Sequence, residues 1–385
     1  MMARLGDIFT ITSGGTPDKK KSEYYANGTI PWVKTGDLKN QYVPTGIECI
    51  TEEGLKNSSA KLFPPNTVLV AMYGATIGAC SILPYEASTN QACAAFLPNE
   101  KVMPTYLYYF LSSKKELFVK DGVGGAQPNI SAGYLKNVQF DLIPMQQQIN
   151  MVSALDKVSE LIALRKEQLV KLDRLVKSRF IELFGMPGTD TNGWGLIPLG
   201  EVCQINPKKG QDKRLASGLT VSFVPMPAVS EKGEIDPSDT REYDAVKTGF
   251  TYFAENDVLF AKITPCMENG KGAVARGLHN GIGFGSTEFH VLRPINGKTN
   301  PYWVYVLTAF SQFREDAANN MTGSAGQRRV PASFLESYRV SVPPIELQGQ
   351  FAAFVERTDK SKLAIQQSLD KLETLKKSLM QEYFG

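Results

Sequence analysis

Residues 335–385 of this chain repeat residues 135–185, without a gap and at an offset of 200 positions. Twelve of the aligned pairs are identical. Leu135/Leu335, Pro144/Pro344 and Gln148/Gln348 lie at the start. Leu169/Leu369, Lys171/Lys371, Leu172/Leu372, Leu175/Leu375, Lys177/Lys377, Ser178/Ser378, Glu182/Glu382, Phe184/Phe384 and Gly185/Gly385 follow toward the end. So long a period is too large for a solenoid unit and marks a duplicated domain-plus-helix module. The same phrase opens each half, Leu5-Gly6-Asp7-Ile8 and Leu199-Gly200-Glu201-Val202. Two copies of one module make a pseudo-dimer, whose ligand is expected to be two-fold as well, which points to duplex nucleic acid.

Each half then runs through a mixed region rich in Gly, Pro and aromatic residues. The runs Ile30–Lys34, Thr67–Met72, Ala92–Leu97, Val258–Lys262 and Glu288–Leu292 read as strands. The halves echo one another here too. Phe63-Pro-Pro-Asn-Thr-Val matches Phe253-Ala-Glu-Asn-Asp-Val, and Ser88-Thr89 is paired with Ser286-Thr287. Pro104 and Pro301 each open a predicted helix, the position where proline fits best. Gln127-Pro128-Asn129-Ile130 matches Gln327-Arg328-Arg329-Val330.

A long helix closes each half after Pro144 or Pro344. In the first, Leu155, Val158, Ile162, Leu169, Leu172 and Val176 recur in alternating steps of three and four, with Arg165 inside the series. In the second, Val355, Ile365, Leu369, Leu372 and Leu379 hold the same frame, with Thr358, Lys362 and Lys376 as polar interruptions. That spacing is a coiled-coil seam rather than a broad globular face. Helices of about 40 residues reach about 60 Å at ~1.5 Å per residue and overhang any domain of this size, so they are expected to pair antiparallel. The predicted fold class is α+β, with two similar mixed α/β domains separated by two long antiparallel coiled-coil helices. The predicted bounds are 1–143 and 198–343 for the domains, 144–185 and 344–385 for the helices, and 186–197 for a linker.

Charge excludes a basic domain: 13 Lys+Arg face 12 Asp+Glu in 1–143, and 16 face 15 in 198–343. Nucleic-acid contact therefore has to come from local patches. One candidate is Ser13-Gly14-Gly15-Thr16 followed by Lys19-Lys20-Lys21, where free backbone N–H groups and ammoniums suit phosphate. Lys34 is a further basic candidate, and the second half offers Lys208, Lys209, Lys213 and Arg214. Gln127, Asn129, Gln327, Arg328 and Arg329 carry the side chains that read base edges, amides for adenine and guanidiniums for guanine. Taken singly, a lysine run is more often a solvated loop; matching places in both halves raise the functional reading.

No catalytic constellation emerges. His279 and His290 are the two histidines, and neither lies in a hydrolase or metal-ligand context. Gly297-Lys298-Thr299 lacks the upstream glycine of a phosphate-binding loop, because position 292 is Leu. Asn300-Pro301-Tyr302-Trp303 lacks the second proline of an amino-methyltransferase motif. The five cysteines are odd in number and never in a CxxC spacing, which suits a reducing cytoplasm and no metal site. The opening MMARLGDIFT lacks an apolar core, so no export signal is expected. The uncharged stretch Thr67–Leu83 is too short to span a membrane and reads as two buried strands around a turn.

These features together resemble the specificity subunit of a type I restriction–modification system. The resemblance covers essentially the whole chain. It is carried by the paired openings, by Trp32-Val33-Lys34-Thr35-Gly36-Asp37-Leu38, by Gly124-Gly125-Ala126-Gln127-Pro128-Asn129-Ile130-Ser131, and by the two Pro…Gln entries into helices ending Phe-Gly. Lys34-Thr35-Gly36-Asp37-Leu38 has no clear sequence counterpart near Phe223-Val224-Pro225-Met226. The resemblance implies a non-catalytic DNA-binding subunit in the cytoplasm, with residues 1–143 and 198–343 as target-recognition domains that read a bipartite site in double-stranded DNA. It implies that the helices act as spacers and dock two adenine-N6 methyltransferase subunits, to which two restriction/translocase subunits add. AdoMet, ATP and Mg²⁺ would sit on those partners and none on this chain. The competing readings are a stand-alone methyltransferase, which AdoMet binding by the isolated chain would support, and a coiled-coil scaffold without DNA affinity.

Overall fold

The computed structural model describes residues 1–122, 129–324 and 326–385. Their contacts divide them into two units, Met1–Arg165 with Ser368–Gly385, and Lys166–Gln367.

In the first unit, Ile11–Ser13, Cys93–Phe96, Val68–Ala71 and Cys80–Ile82 form, in that spatial order, an antiparallel sheet. Cys49–Ile50, Ile30–Val33, Ala87–Thr89 and Leu62–Phe63 form a second, in which Ile30–Val33 runs parallel to Ala87–Thr89. A short ribbon of Met2–Arg4 and Gln139–Asp141 ties the start of the unit to its last strand. The uncharged stretch at Thr67–Leu83 folds as the hairpin Val68–Ala71/Cys80–Ile82, interrupted by a 3-10 turn at Gly74–Thr76. Every residue of both strands is buried, so the run is apolar throughout rather than alternating. Among the described residues no helix is long and apolar enough to cross a membrane.

The second unit repeats this topology strand for strand. One sheet is ordered Cys203–Ile205, Phe289–Pro294, Val258–Ala261, Gly272–Val274. The other is ordered Thr240–Glu242, Thr220–Val224, Ile282–Gly285, Thr251–Ala254, again with a single parallel pairing, Thr220–Val224 beside Ile282–Gly285. Leu196–Pro198 and Arg339–Ser341 make the ribbon. Asn66 and Asn256, matched in sequence, both take left-handed backbone, with φ of 69° and 71°. Helices begin at Pro104 and Pro301.

Two expectations are corrected. The parallel pairing sets Trp32-Val33 against Ser88-Thr89 and Phe223-Val224 against Phe284-Gly285. Lys34–Leu38 therefore does have a structural counterpart, the 3-10 turn Met226–Ala228, and each turn follows the strand that pairs in parallel. The same register makes Phe284-Gly285 the second unit's equivalent of Ser88-Thr89, two positions away from the Ser286-Thr287 that sequence suggested. Sequence matching failed because β-strand equivalence is decided by backbone pairing across the sheet, and the side chains at these positions differ.

The long helices are Met145–Phe184 and Ile345–Phe384. In the first unit, Val152 and Leu155 near the start of one share a core with Phe384 at the end of the other. In the second unit, Val176, Phe180 and Phe184 share a core with Phe351, Ala352 and Val355. Within each unit the start of one helix thus meets the end of the other, the antiparallel order. Phe384 packs on Tyr106 at 5.3 Å and Phe184 on Phe351 at 5.3 Å between ring centroids. Of the seam residues, Leu155, Val158, Val176, Val355 and Leu369 are buried, and Ile162, Leu169, Leu172, Ile365, Leu372 and Leu379 are half-buried. The polar interruption at Lys362 is met by Asp173 at 2.7 Å.

Gln148 and Gln348 explain one identical pair. Both are fully buried. Gln148 Nε2 donates to Lys101 O and Ile143 O, each at 2.9 Å, while its Oε1 accepts from Met103 N at 2.9 Å. Gln348 does the same with Lys298 O at 3.0 Å, Pro343 O at 2.8 Å and Asn300 N at 2.8 Å. Each amide locks the first turn of a long helix to the segment before the Pro104 or Pro301 helix. The predicted linker 186–197 is also tied down: Asp190 accepts from Trp194 N, Gly195 N and the Ser341 hydroxyl, and Leu196–Pro198 is already strand.

Candidate nucleic-acid interface

The first loop begins where Ser13, half-buried, pairs with Ala94. Gly14 and Gly15 are buried, which overturns the expectation of free backbone donors. Gly15 N–H donates to Thr89 O at 2.9 Å, and the Trp32 indole donates to Gly15 O at 3.0 Å. A Cβ on Gly14 would lie 2.0 Å from Thr89 O, and one on Gly15 would lie 2.2 Å from Ser59 Oγ. These glycines permit close chain approach rather than phosphate binding. The Thr16 hydroxyl is taken by Gln91, and Tyr25 donates to Pro17 O at 2.6 Å. Beyond this pinned base, Lys19 and Lys20 are exposed. Lys21 donates to the Tyr24 hydroxyl at 3.0 Å, which raises its pKa. Lys34 pairs with Glu48 at 2.6 Å, and that hydrogen bond raises its pKa. A lysine so paired keeps little net charge for a phosphate.

In the second unit, Asn206 takes left-handed backbone at φ 52° and turns the chain after Cys203–Ile205. Lys208 and Lys213 are exposed. Lys209 donates to the Lys247 carbonyl. Arg214 is held by Asp212, Nε to Oδ1 at 2.9 Å and Nη2 to Oδ2 at 2.7 Å, and Tyr252 also donates to Asp212 at 2.7 Å. Arg214 and, after it, Tyr252 hold the Asp212 carboxyl well below the usual carboxylate range. The phosphate reading therefore narrows to Lys208 and Lys213.

The candidate base-reading loops share one bridge and one backbone bond at their ends. Asn129 bridges to Tyr73, and buried Ile130 donates its N–H to Met72 O at 3.0 Å. Arg329 bridges to Ile263, and buried Val330 donates to Lys262 O at 2.9 Å. Asn129, Gln327 and Arg328 are exposed, while Gln127 lies outside the described residues. Arg328 spends one N–H on Ala318 O at 2.6 Å. Arg329 is different: it grips Glu288 through two bonds of 2.9 Å and donates to Gln327 O at 3.1 Å. Arg329 in turn holds the Glu288 carboxyl below its usual range. Its guanidinium is committed to shaping the loop, which argues against the base-reading role expected of it and leaves Gln327 and Arg328 as the exposed candidates.

Sequence reasoning missed Tyr73, exposed beside Asn129 although 56 positions away. It also missed Lys262, which replaces Met72 at the matching point of the repeated strand. Aligning Val68-Leu-Val-Ala-Met-Tyr with Val258-Leu-Phe-Ala-Lys-Ile was the available signal.

With that geometry in place, comparison with known proteins decides the family. Residues 1–174 and 191–376 match the family described as type I restriction modification DNA specificity domain. The chain belongs to this family. It is similar to the EcoEI specificity subunit of Escherichia coli, 34% identical over 233 residues, which are 57% of this chain and 38% of that protein. It is also similar to the EcoAI specificity subunit of Escherichia coli, 36% identical over 193 residues, 49% of this chain and 32% of that one. The chain thus spans less than two fifths of the length of these two relatives. The fold is shared with a type I restriction-modification S subunit from M. genitalium, at a TM-score of 0.56 and 14% identity, covering 100% of this chain and 96% of that one.

Proposed function

We propose that this specificity-domain protein is the non-catalytic, sequence-reading subunit of a type I restriction–modification complex in the cytoplasm. Each unit reads one half of a bipartite duplex site through its loop at Asn129 or Gln327-Arg328, and phosphate contacts come from Lys19, Lys20, Lys208 and Lys213. The observation that carries this reading is the common anchoring of the two loops, by the same bridge and the same N–H to carbonyl bond, with different polar side chains at their tips. One scaffold presenting two chemistries suits two different half-sites. Phosphate contacts position a protein on DNA, and base-edge contacts specify the sequence.

The partner reading rests on a second observation. Lys171, Leu175, Ser178 and Glu182 fall four, three and four residues apart, on one helical face, and all are exposed. Lys371, Leu375, Ser378 and Glu382 repeat the four identities, exposed again. Packing within either unit does not require these identities, whereas a partner docked twice does. We assign the two stripes to two copies of an adenine-N6 methyltransferase, with two restriction/translocase subunits adding to them and no membrane involved. AdoMet, ATP and Mg²⁺ belong to those partners.

Mapping methylated adenines in the host genome, with and without this gene, tests the reading. A bipartite motif that disappears with the gene is the expected result, and an unchanged methylome overturns it. AdoMet binding by the isolated chain would instead favour a stand-alone methyltransferase.

A further inference from the structure

The second unit contains a cleft of about 440 Å³ between the loop after Asn206, the segment Lys247–Tyr252 and the strand end at Lys262. Its volume lies in the range of ligand sites, and three lysines but no carboxylate line it. Two of these ammoniums are already used: Lys209 donates to the Lys247 carbonyl, and Lys247 pairs with Asp244 at 3.0 Å. Lys262 is half-buried and, among the described residues, its ammonium has no hydrogen-bond acceptor. Glu288 is near enough to feel its charge, but both carboxylate oxygens of Glu288 are bonded to Arg329. A partly desolvated ammonium without a counter-ion favours an incoming anion.

The walls suit a nucleotide. Phe250 is 37% exposed and is braced edge-on by Phe223 at 5.0 Å between centroids. Arg241 stacks on the Phe223 ring at 3.4 Å. A held aromatic face beside a cation matches sugar or base next to phosphate. The floor is fixed to the reading loop. Val330 N–H donates to Lys262 O, and His290 Nε2 lies 2.8 Å from Val330 O. Asn206 Oδ1 accepts from Val291 N, which turns its Nδ2 toward His290 Nδ1 at 3.0 Å. His290 therefore joins the Asn206 turn to the loop that carries Gln327 and Arg328.

The first unit lacks this arrangement. Phe260 pairs with His290 as Val70 pairs with Ala94, so Ala94 takes the place of His290. Met72 takes the place of Lys262 by the same register, and Ala60 that of Phe250 by the match of Phe63 with Phe253.

We propose that this cleft seats one backbone phosphate of bound duplex DNA on Lys262, with the adjoining nucleotide against Phe250, and that the first unit has no such seat. This rests on the DNA-reading function above. The seat would fix the register of the second half-site relative to Gln327 and Arg328, and His290 would serve as the positioning residue between the two loops.

The test uses the full chain in its native complex and a duplex carrying its methylated motif. Neutral methylphosphonate linkages are placed one at a time through both half-sites, and affinity is measured against salt. In the wild type, one linkage in the second half-site should weaken binding markedly. Lys262→Met should lower the salt slope by about one and make the complex indifferent to that one linkage, while the first half-site profile stays unchanged. Lys262→Arg should restore the slope, and Phe250→Ala should weaken binding without changing it. A Lys262→Met complex with the wild-type slope and linkage profile overturns the seat while leaving DNA reading intact. A wild-type complex that shows no duplex binding overturns the reading and the seat together.

Discussion

The loops ending at Ile130 and Val330 hang from the same bridge and the same backbone bond, yet their tips differ. Asn129 stands exposed beside Tyr73, whereas Arg329 is clamped to Glu288 and leaves Gln327 and Arg328 exposed. Around them the first unit has Met72 where the second has Lys262, and Ala94 where the second has His290. Duplication kept Gln148/Gln348, which satisfy buried backbone, and Phe184/Phe384, which fill the cores, while divergence reached the exposed loop tips and buried positions beneath them such as Ala94 against His290. The scaffold is common to both halves, and the contact chemistry belongs to each half separately.

The strongest way to break that view is through the shared scaffold. Phe184→Ala and Phe384→Ala should each cost about 3–5 kcal/mol, because both rings are buried among aromatic partners. Gln148→Ala and Gln348→Ala should each cost at least about 1–3 kcal/mol by leaving buried backbone groups unpaired. Chemical denaturation followed by hydrogen exchange in each unit reads both pairs. Unequal losses between paired variants would show that the two scaffolds are not equivalent.

Docking comes next. Leu175 and Leu375 are 48% and 45% exposed, so Leu175→Glu or Leu375→Glu should leave folding intact. Each should lower the bound methyltransferase from two copies to one by native mass spectrometry, and the double variant to none. Retention of both copies in the single variants would remove the stripes from the interface.

Smaller effects sharpen the difference between the tips. Arg328→Ala should cost about 1–3 kcal/mol at one base position, and Asn129→Ala should act only on the other half-site. Replacing Lys19 and Lys20 by Ala should instead weaken all sequences and flatten the salt dependence. Arg329→Ala should disturb the whole second half-site, since it frees Glu288 and the loop. Binding to a library of single-base variants separates these patterns. A one-base signature for Arg329 would restore the role that its ion pair with Glu288 argues against.

The smallest effect is that of pH. Burial, followed in strength by the bond to Val330 O, sets the His290 pKa, and burial lowers it below its ordinary 6.5. Lys262 disfavours the charged ring and Glu288 favours it. The unfolded chain then takes up the proton first. Stability contributed by neutral His290 is present above about pH 6.5 and is lost as pH falls through the lower folded value. Hydrogen exchange should show the second unit, and not the first, loosening in mild acid, and His290→Ala should flatten that dependence. Equal loosening in both units would contradict the assignment.

Much of the fold was legible because it rests on local rules. The three-and-four spacing of Leu155 through Val176 needs only the helical period to be read, and Pro104 and Pro301 mark helix starts through a fixed φ. The match of Asn66 with Asn256 was legible as direct repetition, and both take left-handed backbone. The interface was legible only as a set of places. Gly14 and Gly15 look like a phosphate-binding loop in sequence, and only the approach of Thr89 and Ser59 shows that space is the reason for them.

By itself, then, the sequence determined the duplication, the two long helices, the apolar strands and the family resemblance, since each is written in short-range spacing or in direct repetition. The tertiary structure alone decided the parallel strand register, the pairing of Arg329 with Glu288, and the placement of Lys262 in a cleft. Those depend on which distant segments pair across a sheet. A guanidinium that meets a carboxylate 41 residues away is no longer free to meet a base, and only the folded chain brings the two together.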